Sequence, residues 1–191
     1  MAGPFVRSAR SPRVRPPARP GRAPVARGAL VGPRLIRDRA EMTEAVALLA
    51  ERLVARGVAP ALPQLTFATL VDNALEHGGG AVSPVAAVYL AGTFVTVSSR
   101  DGGQSVAGCG RPVDELRRRI QIPAEDVDPG PGAPAGIPWL SQLLRTRCPG
   151  GRLEFRAGNG YLSFRDGVWV CRVARQPVTG FVAIARIVLN S

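Results

Sequence analysis

Leu70-Val71-Asp72-Asn73-Ala74-Leu75-Glu76-His77-Gly78 decides how this chain is read. Phe67, Leu70, Val71, Ala74 and Leu75 repeat at helical spacing, so the stretch belongs to an amphipathic helix over about Gln64 to His77. Gly78-Gly79-Gly80 ends it, because glycine takes a left-handed cap without steric cost. Opposite the apolar stripe, Thr69, Asp72, Asn73 and Glu76 stand at i, i+3, i+4 and i+7 and share one polar face. His77 follows one turn after Asn73. A solvated helix face is the ordinary reading of such a stripe.

Upstream, Met42, Val46, Leu49 and Leu53 fall on one helical face, and Gly57 supplies a stop. A first helix is expected over roughly 36–56, separated from the second by Pro60 and Pro63. Downstream, Val85 to Leu90 and Phe94 to Ser98 read as strands joined by a turn at Ala91-Gly92. Residues 100–135 read as a long functional or mobile loop rich in glycine and proline. Pro138 suits the first turn of a third helix carrying Trp139, Leu140, Leu143 and Leu144. Arg152–Arg156, Tyr161–Arg165, Val168–Ala174 and Phe181–Leu189 follow as β-rich runs. Hairpin turns are expected at Gly158-Asn159-Gly160 and Asp166-Gly167. The order predicts an α+β fold, a two-layer α/β sandwich with helices on one face of a mostly antiparallel mixed sheet.

The chain has 191 residues and a net charge of +11, and every basic side chain is arginine. Residues 1–40 hold ten arginines against Asp38, so the remaining 151 residues are nearly neutral. Seven prolines accompany those arginines, and residues 1–35 are expected to form a disordered Arg/Pro-rich tail before a domain over 36–191. The tail suits phosphates or an anionic membrane surface, or has no role, with translation starting at Met42. Phe5 is the one aromatic among its arginines, so it offers no stacking platform for bases. One histidine excludes a multi-histidine metal site. Cys109, Cys148 and Cys171 lack C-x-x-C spacing, which fits a reducing cytoplasm. No apolar run reaches the length of about 18 residues that a membrane span needs.

Asp72-Asn73-Ala74-Leu75-Glu76-His77 resembles the N-box of the GHKL superfamily of histidine kinase-like ATP-binding domains. Arg100-Asp101-Gly102-Gly103 follows a β-hairpin and resembles the superfamily's D-x-G-x-G motif, with Ser105 at its last glycine. Gly132-Ala133-Pro134-Ala135-Gly136 resembles the lid motif G-x-G-x-G, with Pro134 at its middle glycine. Gly150-Gly151-Arg152-Leu153-Glu154-Phe155 resembles the Gly-Gly strand that follows in sensor kinases. The three motifs stand in the family's order over about 40–165.

The resemblance implies the Bergerat-type ATP-binding fold and, from the size of the chain, places it nearest the stand-alone serine kinases that act as anti-sigma factors. It implies Mg²⁺ on Asn73, adenine held by Asp101 and Gly103, and a lid shaped by Gly132 and Gly136. Thr69 stands where many members carry a glutamate base, and its hydroxyl is no base near neutral pH. An enzyme of this kind would be an ATP-dependent protein kinase acting on another protein, not an efficient ATPase. The alternative is a degenerate, non-catalytic interaction module with weak or lost nucleotide binding. A protein partner is expected, self-association stays open, and nucleic acid would engage only the basic tail.

Overall fold

The computed structural model describes residues 28–77, 83–101 and 136–189. Five strands and three helices make up this part: β1 (Gly28–Leu35), α1 (Arg39–Val54), α2 (Ala61–His77), β2 (Val85–Ala91), β3 (Phe94–Asp101), α3 (Ile137–Arg147), β4 (Arg152–Arg165) and β5 (Val168–Val188). The sheet runs β1-β2-β3-β5-β4, and all four pairings are antiparallel. The α+β sandwich expected from the sequence is therefore present. The expected mixed sheet is corrected: among the described residues no parallel pair occurs.

Local chemistry explains the helix ends. Asp38 caps α1 by accepting the backbone N–H of Glu41 at 2.8 Å, and Glu41 Oε2 reaches back to accept Arg37 N–H at 2.7 Å. These reciprocal bonds satisfy donors that the first turn leaves open. The helix thus begins at Arg39, three residues after the expected start. Ala45, Leu49 and Leu53 turn into the core, and Gln64 Nε2 of α2 donates to the Val46 carbonyl at 3.3 Å.

The expectation of a disordered tail to residue 35 is overturned for its last part. Leu30 and Val31 are buried in β1, which pairs with β2 from Gly28↔Leu90 to Leu35↔Val85. Burial of these side chains against α1 offsets the ordering cost that a proline-rich segment alone could not meet. The edge position also tolerates Pro33, which lies where the register shifts between Val31 and Arg34. Arg52 Nη1 donates to the Leu30 carbonyl at 2.7 Å and ties α1 to this strand. A chain starting at Met42 would lack β1.

The C-terminal half departs from the expected four short strands. Gly158-Asn159-Gly160 lies inside one continuous β4 and is no hairpin turn: Gly158 pairs with Val178 and Gly160 with Val173, a bulged stretch of the ladder whose extra residues fall on β5. Gly158 takes φ of +53°, which favours glycine. The bulge inverts side-chain parity. Phe155 and Ala157 face the helices, whereas Tyr161, of the same parity, lies against Arg156 and Arg172 on the other face. Asp166-Gly167 is the expected hairpin turn, with φ of 51° and 83°. The core lies between the helices and the inward residues of the sheet, among them Val95, Val97, Leu153, Phe155, Ala185 and Ile187.

Candidate functional site

Strand β3 alternates strictly. Val95, Val97, Ser99 and Asp101 are buried on the helix side, while Phe94, Thr96, Ser98 and Arg100 face outward. Asp101, the last residue of the strand, is 2% exposed, and its Oδ1 accepts the backbone N–H of Phe181 at 3.2 Å. Its carboxylate is thus presented to the helix layer, and β5 fixes its position.

Helix α2 packs against β3 and β5. Thr66 and Thr69 are buried on it, and Asn73, one turn beyond Thr69, is half-buried. Glu76 and His77 are exposed at its end. The Thr66 hydroxyl on α2 and the Ser99 hydroxyl on β3 are buried and have no hydrogen-bond partner among the described residues. A buried hydroxyl without a partner costs about 1–3 kcal/mol, so two of them in one helix–strand layer call for an explanation.

The polar face expected on α2 divides into two. Arg39, in the first turn of α1, donates through Nε to Asp72 at 2.8 Å and through Nη2 to Glu76. Asp72, and after it Glu76, raise the guanidinium pKa further above its usual value. Both carboxylates are thereby committed to a clamp between the two N-terminal helices. Asn73 and Thr69 are left on the side nearer the core. Sequence reasoning missed this clamp, whose partners lie 33 and 37 positions apart.

Helix α3 also packs against α2. Gly136 is its N-cap, extended at φ −155°, and among the described residues no side chain caps the helix. Pro138 removes one first-turn donor. The described site residues, Asn73, Asp101 and Gly136, therefore stand on α2 and on two of the elements packed against it, β3 and α3. Gly103, Gly132, Ser105, Pro134, Cys109, the Arg117-Arg118-Arg119 run and the expected loop lie outside the described residues, apart from Arg100 and Asp101 in β3.

Among the described residues no group of three or more His, Cys, Asp or Glu side chains gathers as a metal site. With Asp72 and Glu76 held by Arg39, Asn73 keeps an amide oxygen on the same helix outside that clamp. No helix among the described residues is long and apolar enough to cross a membrane. Neither a protein-family model nor a curated protein matches the chain.

Proposed function

We propose that the chain is an ATP-binding regulatory protein of the histidine kinase-like type, with a Bergerat-type sandwich as its nucleotide-binding body. One observation carries the reading: Asp101 of the D-x-G motif is buried on the helix side of β3, the strand against which the N-box helix packs. Inversion of the strand by one residue would have turned that carboxylate outward and removed the site.

In this reading Asp101 accepts a hydrogen bond from the adenine amino group, and Gly103 lets the chain approach the base. Asn73 holds Mg²⁺ through its amide oxygen. Gly136 opens the N-terminus of α3 toward the phosphates, with Gly132 shaping the lid. Bound Mg²⁺ would neutralise phosphate charge, and the residues of the chain would contribute positioning. Thr69 supplies no base, and Asp72 and Glu76 are tied to Arg39. The arrangement therefore favours transfer to a partner's hydroxyl in the cytoplasm, as in a serine/threonine protein kinase, over rapid hydrolysis. Thr69 in place of a glutamate base supports a second reading, a non-catalytic interaction module.

Thermal unfolding of the full chain with and without Mg-ATP tests the proposal. A ligand at 100 times its Kd stabilises by about 2.7 kcal/mol, which is roughly 5–10 °C for a domain of this size. The expected result is such a shift, abolished by chelation of Mg²⁺ or by Asn73→Ala, with little phosphate release. No shift at saturating Mg-ATP would overturn the nucleotide reading.

A further inference from the structure

The helices pack on one face of the sheet, and the opposite face carries an unusual charge pattern. Arg152 and Arg156 project from β4, Arg172 and Arg186 from β5, and Arg100 from β3. They form a grid, because Arg152 pairs across with Arg186 while Arg156 and Arg100 flank Val182. Among the described residues Glu154 is the one carboxylate set among these arginines, bound to Arg152 at 2.8 Å and lying 3.7 Å from Arg156. Five arginines against one glutamate leave a surplus of four positive charges. Among the described residues no carboxylate pairs with Arg100, Arg172 or Arg186.

Three details show that these arginines are held in place. Arg172 lies 4.0 Å over the Tyr161 ring, which Arg156 approaches at 5.4 Å, and Arg186 lies 5.4 Å over Phe94. Arg100 is fixed by donating to the Thr179 carbonyl at 3.3 Å. A fixed guanidinium loses little side-chain freedom when it binds a carboxylate, and its fork matches both oxygens.

We propose that this sheet face, on which no helix packs among the described residues, is a docking surface for an acidic protein partner. Apolar Val168, Val170, Val182 and Ile184 stand among the arginines and aromatics. Arginine and aromatic residues around apolar contacts make up the composition of a protein interface. A nucleic-acid surface is more polar and needs free ring faces for stacking, whereas Tyr161 and Phe94 are already covered by guanidinium groups. A second copy packed face to face would set arginine rows against each other. The surface lies opposite the helix layer, so the inference stands apart from the nucleotide reading.

The test uses the full chain and a fluorescein-labelled glutamate peptide with leucine at every fourth position, followed by anisotropy. A glutamine version of the peptide and oligo-dT serve as comparisons. Arg156→Glu/Arg172→Glu/Arg186→Glu is expected to weaken glutamate-peptide binding about tenfold or more. Oligo-dT binding, expected through the arginines of residues 1–27, should stay within about twofold. If the triple variant fails to fold, Arg172→Glu alone, at an exposed position, is read in the same way. The proposal is overturned if wild type does not bind the glutamate peptide or binds the glutamine version equally well. It is also overturned if the variant binds like wild type, or if peptide and oligo-dT binding fall together, which would mark a general polyanion surface. Sedimentation showing a dimer that the variant abolishes would assign the face to a second copy instead.

Discussion

Leu30→Ala separates a structural strand from a dispensable tail. Leu30 is fully buried in β1, its carbonyl accepts the guanidinium of Arg52, and its side chain joins the core beside α1. Removal of a buried leucine beyond Cβ costs about 2–5 kcal/mol, from lost transfer energy and the cavity left behind. An edge strand relaxes more easily than a central one, so about 3 kcal/mol is expected. With a urea slope of about 2 kcal/mol per molar, the unfolding midpoint should fall by roughly 1.5 M. Trp139 and Trp169 both pack against the core and report the transition by fluorescence. Gly32→Ala is the matched control, because a Cβ there meets nothing within 4 Å. It should leave the midpoint nearly unchanged or raise it slightly. A fall below about 0.3 M for Leu30→Ala would refute the role given to β1, since a disordered residue contributes no more than surface substitutions do.

Other consequences follow from particular contacts. Gly167→Ala should destabilise by about 1–2 kcal/mol in urea unfolding, because φ is 83° and the new Cβ would lie 3.3 Å from Arg145 Cδ. Burial pushes the Cys148 thiol pKa up, so alkylation of Cys148 at neutral pH should track unfolding, read by peptide mass mapping. The Glu41 pKa is lowered by the Arg37 backbone N–H and then by the Arg37 side chain. That bond therefore stabilises the fold above the unfolded value of about 4.3 and is lost as pH falls through the lower folded value. Tm measured across that range should fall less steeply for Glu41→Gln, which starts from a lower Tm near neutral pH.

Elements with a local signature were legible from residues alone. The apolar spacing of α1 and α2, the alternation of β3 and the Asp166-Gly167 turn depend on neighbours in sequence. β1 was not legible, because Gly28, Gly32, Pro33 and Arg34 continue the composition of the preceding tail. Leu30 and Val31 acquire meaning only once β2 and α1 are in place. Gly158-Asn159-Gly160 looks the same locally whether it turns or bulges. The difference lies in Val173 and Val178 on β5.

The candidate site divides along the same line. Motif reading reached Asn73, Asp101 and Gly136, and strand parity turned Asp101 inward. It did not reach the Thr66 and Ser99 hydroxyls, although inward alternation along β3 already pointed to Ser99. The Arg39 clamp, which separates Asp72 and Glu76 from the site, lay beyond it altogether.

The central claim is tested most directly by calorimetric titration of Mg-ATP into the full chain, beside Asn73→Ala and Asp101→Ala. The account predicts one Mg²⁺-dependent site in the wild type, lost in both variants while their circular dichroism stays native. Absence of heat in the folded wild type, or equal binding by both variants, would contradict it.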